Sequence, residues 1–152
     1  MAKKRMFSLD IVDSDAFLEL SKGAQLLYFH MSMRADDDGF VDKLQTLMKI
    51  LGCKSKDIDE LIASGFIIPF KDNVYCVKHW KINNLIRLDR YQPTKYQSDI
   101  NTLYIKENGS YTLDENQGKP IAKDIKLFSI DENGEISKTL INDCKEKLKK
   151  CW

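Results

Sequence analysis

The 152-residue sequence lacks the features that mark membrane proteins, secreted proteins and nucleotide-dependent enzymes. It contains no run of eighteen apolar residues, which is about the length that a membrane-spanning helix needs. Its first ten residues, MAKKRMFSLD, have no apolar centre of the kind found in signal peptides. Its seven glycines are scattered singly and build no phosphate-binding loop. We therefore expect a cytoplasmic protein that binds no membrane and is not an enzyme.

Residues that bind metals are also few and badly spaced. No C-x-x-C pair occurs among the four cysteines, and the sequence has only two histidines, His30 and His79. The run Asp36–Asp38 does not supply the alternating carboxylates of a calcium loop, so it predicts a turn. No metal and no cofactor are expected. The four cysteines are Cys53, Cys76, Cys144 and Cys151.

The overall composition is that of a globular protein whose charges nearly balance. Hydrophobic residues make up 43% of the chain and charged residues 31%, with a formal net charge of +1. Net charge therefore gives no general attraction to nucleic acid, and the positions of the charges matter more.

Apolar residues recur with helical spacing in three segments, Lys22–Arg34, Lys43–Leu51 and Ser55–Ser64. Gly52 follows the second segment where a helix ends in a left-handed residue, and Ser55 is expected to cap the third. A shorter helix, capped by Asp13 or Ser14, is predicted to run to Leu20 with Phe17, Leu18 and Leu20 pointing inward.

Branched and aromatic residues predict strands at Phe66–Phe70 and Val74–Val77, joined by a turn at Lys71–Asn73. Gly39–Val41 is a further short strand, expected to pair beside this hairpin. The order helix, strand, helix, helix, strand, strand is that of a winged helix-turn-helix, an α+β fold in which the hairpin is the wing.

The helix in the recognition position raises an electrostatic difficulty. Its outward face is predicted to carry Asp57, Asp59 and Glu60, with only Lys54 and Lys56 ahead of it. Acids beside a phosphate backbone are repulsive, so DNA contact is expected from Lys54, Lys56, Lys71 on the wing and the segment that follows.

That segment, KHWKINNLIRLDRYQPTKY (residues 78–96), concentrates the positive charge of the chain. It has five basic residues and one acid, a local excess of +4, interleaved with aromatic residues. Bases attract phosphates and aromatic rings stack on nucleotide bases, so the composition is typical of a nucleic-acid contact segment. The alternative is that Trp80, Ile82 and Leu85 are core residues and the bases a solvated rim.

Four blocks carry a resemblance to a known family: RMFSLDIVDSDAFLEL (Arg5–Leu20), QLLYFHMSMRADDDGFV (Gln25–Val41), GFIIPF (Gly65–Phe70) and VKHWKINNLIRLDRYQPTKY (Val77–Tyr96). Over residues 1–112 the chain resembles the N-terminal domain of replisome organisers. These are replication initiation proteins of phages and prophages of low-GC Gram-positive bacteria, related in architecture to DnaD-type helicase-loading proteins.

The resemblance implies a winged-helix domain that binds origin DNA. In longer relatives it implies a following region that self-associates and engages the replicative helicase or its loader. It implies a scaffold of Arg34 and the Asp36–Asp38 turn. The DNA-contact set that it implies is Lys78, His79, Trp80, Lys81, Asn83, Asn84, Arg87, Arg90 and Tyr91; the basic segment itself adds Lys95.

The remainder of the chain is predicted to form a linker and a small extension. Thr94–Lys106 suits a helix, although Asn108-Gly109 also suits a hairpin over Leu103–Leu113. Residues 113–124 are polar and are expected to link the domain to an extension at 125–152. The extension is predicted to contain a hairpin and then a helix from Ser137, and to dock on the domain or form a dimer contact.

Three functional classes follow from these patterns. The first is a DNA-binding replication initiation protein. The second is a winged-helix transcriptional regulator, which the same fold would serve. The third is a protein-interaction module of a mobile element, for example a host-defence inhibitor, that has lost DNA binding.

Overall fold

The computed structural model describes residues 4–87 and 89–121. They contain seven α-helices and two three-stranded antiparallel sheets. The α+β class is therefore confirmed. The helices are α1 Leu9–Val12, α2 Asp15–Leu18, α3 Lys22–Arg34, α4 Leu44–Leu51, α5 Ser55–Ala63, α6 Trp80–Asn83 and α7 Gln97–Ile100. The strands are β1 Phe40–Val41, β2 Ile67–Pro69, β3 Tyr75–Val77, β4 Tyr104–Ile105, β5 Tyr111–Thr112 and β6 Lys119–Pro120.

The central helix α3 has the bounds that its apolar spacing predicts. Its inward residues Ala24, Leu27, Tyr28 and Met31 have no exposed surface. The helix begins where the Ser21 hydroxyl accepts a hydrogen bond from the backbone N–H of Ala24. Helices α4 and α5 pack against it, so α3 is the axis around which the first half of the chain is built.

Helices α4 and α5 also match their predictions closely. Gly52 ends α4 in the left-handed conformation, with φ of +71°. The predicted cap of α5 is wrong by one residue, because Lys54 occupies the cap position and its backbone N–H donates to the Asp57 carboxylate at 2.7 Å. Ser55 is instead the first helical residue.

The first sheet has the strand order β1-β3-β2, with both pairs antiparallel. Phe40 and Ile68 both lie opposite Cys76, so β3 is the central strand. The predicted hairpin and its short partner strand are therefore present. Residues Lys71–Asn73 form a tight 3-10 turn between β2 and β3, and all three are exposed.

The second sheet corrects one prediction. The predicted helix over Thr94–Lys106 is present only at Gln97–Ile100, and β4 pairs with β5 across the Asn108-Gly109 turn, as the alternative hairpin requires. Gly109 has φ of +85°, which a glycine adopts at low cost. Residues 113–121, predicted as part of a linker, contain β6, which pairs with β4, and the buried Ile121.

The short N-terminal helices cover one side of α3 through aromatic contacts. Phe17 packs edge-on against Tyr28, Phe29 and Phe66 with ring centroids 5.3 to 5.5 Å apart. Phe17 and Leu20 are buried as predicted, but Leu18 is 58% exposed, so its predicted inward position is wrong. Phe17 and Leu18 are neighbours on α2, and consecutive residues of a helix point in different directions, so only one of them faces α3.

No helix within residues 4–87 and 89–121 is long and apolar enough to cross a membrane. The predicted hairpin and helix of the 125–152 extension, and residues 122–124 of the predicted linker, lie outside the described residues.

Candidate nucleic-acid interface

The acidic turn Asp36–Asp38, between α3 and β1, is held in shape by hydrogen bonds to the side chain of its first residue, Asp36. One oxygen of Asp36 accepts hydrogen bonds from the backbone N–H groups of Asp38, at 3.0 Å, and of Phe40, at 2.9 Å. Gly39 follows with φ of +91°, and a Cβ atom there would lie 2.6 Å from Cγ of Trp80. The turn therefore needs glycine both for its backbone conformation and for the close approach of Trp80.

Asp38 ties the basic segment to this turn. Its carboxylate is fully buried and accepts hydrogen bonds from the Tyr91 hydroxyl, at 2.8 Å, and from the backbone N–H of Thr94, at 2.9 Å. The ammonium group of Lys81 lies 3.8 Å from the other oxygen. A buried carboxylate needs such partners, so Tyr91 and Thr94 are held against the turn by charge-assisted hydrogen bonds and Lys81 by an ion pair.

Asp37 anchors the N-terminal segment. Its carboxylate pairs with the Arg5 guanidinium at 3.1 Å and accepts from the backbone N–H of Gln92 at 3.0 Å. The same guanidinium donates to the Ala35 carbonyl at 2.7 Å and lies 5.1 Å from the centroid of the Trp80 ring. The Arg5 side chain is only 3% exposed, so Arg5 is part of the interior and not a solubilising surface charge.

Three residues of the predicted contact set are buried. Trp80 has no exposed surface, and its indole N–H donates to the Asp37 carbonyl at 2.8 Å. Asn83 and Asn84 are 4% and 5% exposed, and they accept the backbone N–H groups of Ser8 and Met6, both at 3.0 Å. These side chains clamp the N-terminal segment. The prediction that they touch DNA is corrected on this ground, because a covered side chain cannot reach a nucleotide.

His79 and Tyr91 are half-buried and serve mainly as packing and tethering groups. His79 lies edge-on to Phe66 with ring centroids 5.5 Å apart. Burial, with a smaller contribution from Lys78, lowers the pKa of His79 to about 4. The imidazole is therefore neutral near pH 7 and offers a phosphate no charge. Burial and the hydrogen bond to Asp38 raise the pKa of Tyr91.

Two exposed bases of the basic segment, Arg87 and Arg90, line a groove that we call the Arg5 groove. It has a volume of about 370 Å³, and its walls include Lys4, Arg5, Arg87 and Arg90. Arg87 is 71% exposed, and among the described residues its ion-pair partner is Asp89, at 3.0 Å and itself 56% exposed. Exposed pairs of this kind contribute little to stability, so the Arg87 guanidinium is accessible to a ligand.

A second groove of about 330 Å³ adjoins the first and shares Arg5, Asp37 and Gln92 with it. Lys95 and Arg34 lie in its walls, and both are exposed. Asp42 accepts hydrogen bonds from the Lys95 ammonium, at 2.9 Å, and from the Tyr96 hydroxyl, at 2.6 Å. These bonds lower the pKa of Asp42, so its negative charge offsets that of Lys95. The second groove is therefore less positive than the first.

The acids of α5 mostly face inward, which corrects the predicted outward face. Asp57 is 4% exposed and Glu60 accepts both the backbone N–H and the hydroxyl of Ser21, at 2.8 and 2.6 Å. Both acids thus lie at the positive N-terminal end of α3. Of the three acids only Asp59 is exposed, beside the exposed Lys54 and Lys56. The electrostatic objection to contact between α5 and a phosphate backbone is correspondingly reduced.

The remaining predicted residues lie apart from one another. Lys71 is exposed on the turn of the hairpin, whereas Lys78 follows β3 at its opposite end. The Lys78 ammonium would lie 3.4 Å from a Cβ atom at Gly65, just after the C-terminal end of α5. Lys81 is one-third exposed and its ammonium lies 5.7 Å from the centroid of the Tyr91 ring. The predicted contact set is therefore distributed over the start of α5, the β2-β3 turn, the residues that follow β3 and the two grooves.

No protein-family model, curated protein or solved structure matches this chain.

Sequence reasoning missed the part that Lys4 and Arg5 play in the Arg5 groove. The basic cluster Lys3-Lys4-Arg5 does not by itself indicate which part of the fold it contacts. The position of the N-terminal segment is set instead by two adjacent amide side chains of the basic segment. Asn83 and Asn84 accept hydrogen bonds from its backbone N–H groups. Long-range hydrogen bonds of this type have no periodicity, so spacing patterns do not reveal them.

Proposed function

We propose that this chain is a winged-helix DNA-binding protein that acts in phage or prophage replication initiation, as its resemblance to replisome organisers implies. The proposal includes origin DNA as the ligand and the replicative helicase or its loader as a protein partner. It rests on the order of the elements, the accessible basic side chains and the charge distribution of α5.

The arrangement of helices and strands supports the winged-helix part. Helices α4 and α5 are separated by three residues, 52–54, which is the usual length of the turn in a helix-turn-helix. The hairpin β2-β3 follows α5 directly, and β1 pairs with its second strand. In such a fold α5 and the hairpin turn are the elements that approach DNA.

The observation that carries the DNA-binding part is the Arg5 groove. Lys4, Arg87 and Arg90 are exposed at its walls, and its one acid, Asp37, is held by Arg5 and the Gln92 backbone. Asp89 pairs with Arg87 in solvent and Arg5 neutralises Asp37, so Lys4 and Arg90 leave the concave surface with a net positive charge, which attracts phosphates. Lys54 and Lys56 add a second positive position at the start of α5.

The experiment is fluorescence anisotropy of a labelled random-sequence duplex, titrated with the full chain at about 50 mM and about 200 mM salt. We expect binding at low salt that weakens steeply at high salt. Binding releases counterions from the phosphates, and this release is less favourable when the salt concentration is high. No binding at low salt would contradict the proposal and direct the search to protein partners. Substitution of Lys22 and Lys119 by alanine is a control, because both lysines are exposed and line neither groove.

A further inference from the structure

The Arg5 groove combines positive and apolar walls, which a surface for a phosphate backbone alone does not need. Beside the cations lie Met6, Leu85 and Ile86. Leu85 is 87% exposed and Met6 is 52% exposed, so two large apolar side chains stand in solvent next to three exposed cations. A ligand that satisfies both kinds of wall has an anionic group and an apolar surface.

The walls also hold hydrogen-bond donors without partners. Nε of Arg5 and Nδ2 of Asn84 are buried and make no hydrogen bond within the described part of the chain. Both atoms belong to residues that line the groove, so its wall is polar as well as positive and apolar.

The volume limits the occupant to one small unit. About 370 Å³ lies near the lower end of the range of small-molecule sites, roughly 300–1,000 Å³. A base within a matched duplex is stacked and paired, and extruding it costs a few kcal/mol. A base in a single strand has its face free for contact with apolar side chains.

Resting on the proposed DNA binding, we infer that the Arg5 groove holds one unpaired nucleotide. Its phosphate lies against Lys4, Arg87 and Arg90, and its base packs on Leu85 and Met6. The chain accordingly prefers single-stranded or locally unpaired DNA to a matched duplex. The shared chemistry is a nucleoside phosphate, which either a strand or a free nucleotide supplies.

The test compares anisotropy titrations of a labelled single strand, the same strand in a matched duplex, and the strand with abasic sites, all at one salt concentration. We expect the single strand to bind about tenfold more tightly than the duplex and the abasic strand. Leu85→Ala should remove most of that advantage and leave duplex affinity within about twofold. Leu113→Ala is the matched control, because Leu113 is 54% exposed and lies outside the groove.

The outcomes separate the two proposals. Equal affinity for single strand and duplex, or an unchanged preference in Leu85→Ala, would overturn the nucleotide site while DNA binding stands. Absence of binding to every DNA would refute DNA binding itself. Displacement of the labelled strand by thymidine monophosphate at micromolar concentration would overturn the strand preference and assign the groove to free nucleotides. Inorganic phosphate at the same concentration should displace nothing.

Discussion

The hydroxyl of Tyr91 provides a sensitive test of how the basic segment is held. It donates to the buried Asp38 carboxylate at 2.8 Å. Tyr91→Phe removes that donor and keeps the ring on which the Lys81 ammonium packs. The carboxylate retains the Thr94 backbone N–H and loses its one hydroxyl donor among the described residues.

The magnitude follows from the chemistry of the lost bond. A hydrogen bond to a charged group contributes about 1.5–3 kcal/mol to stability, and burial of Asp38 places the loss within that range. For a chain of this length each kcal/mol corresponds to about 2–4 °C, so the melting temperature should fall by about 3–12 °C. The arginines that the segment carries should also be less well positioned, which weakens DNA binding.

The assay is thermal unfolding followed by circular dichroism, with urea unfolding to give the free energy directly. Tyr104→Phe is the matched control, because Tyr104 is also half-buried and its hydroxyl makes no hydrogen bond within the described ranges. A melting temperature of Tyr91→Phe within about 1 °C of the parent chain would refute the view that Asp38 tethers the segment.

Three further predictions concern stability. Ser21→Ala should destabilise the chain by about 0.5–2 kcal/mol in urea unfolding, since it removes the cap of α3; no change would mean that the cap is dispensable. Gly39→Ala should lower the melting temperature more than Gly52→Ala, because only at Gly39 does the new Cβ meet the Trp80 ring; equal losses would contradict this packing. The pKa of His79 is lowered in the folded chain, so the unfolded chain binds the extra proton and stability falls as pH drops from about 6.5 towards 4. His79→Gln should reduce this dependence of the free energy of unfolding on pH by up to about 1.4 kcal/mol per pH unit. Urea unfolding of both chains at pH 7 and pH 4.5 measures it, and the same pH dependence in the variant and the parent chain would contradict the lowered pKa.

The sequence predicts the helices and the first sheet because each depends on local periodicity. Helix α3 needs only Ala24, Leu27, Tyr28 and Met31 at helical spacing, and the β2-β3 hairpin needs two segments rich in branched residues around a short turn. These signals lie within about a dozen residues, and the tertiary structure agrees with them. The second sheet is harder, since Thr94–Lys106 suits a helix until the turn at Asn108-Gly109 is given its full weight.

The candidate site is predicted less well, because its residues are sorted by contacts that span most of the chain. Asp38 meets Tyr91 across 53 residues and Asp37 meets Arg5 across 32. Composition identifies the basic segment but does not distinguish Trp80, which is fully buried, from Arg87, which is 71% exposed. The inward direction of Asp57 and Glu60 depends in the same way on where Ser21 lies.

The most direct test of the account is the salt dependence of duplex binding by Arg87→Ala/Arg90→Ala. Each phosphate contact contributes about 0.9 to the slope of log affinity against log salt, so the double variant should have a slope shallower by about 1.8. Its melting temperature should stay within about 1 °C, because both side chains are exposed. The Lys22→Ala/Lys119→Ala chain, with the same change in net charge, should keep the parent slope. A parent slope in Arg87→Ala/Arg90→Ala, with the fold intact, would contradict the claim that the Arg5 groove contacts DNA.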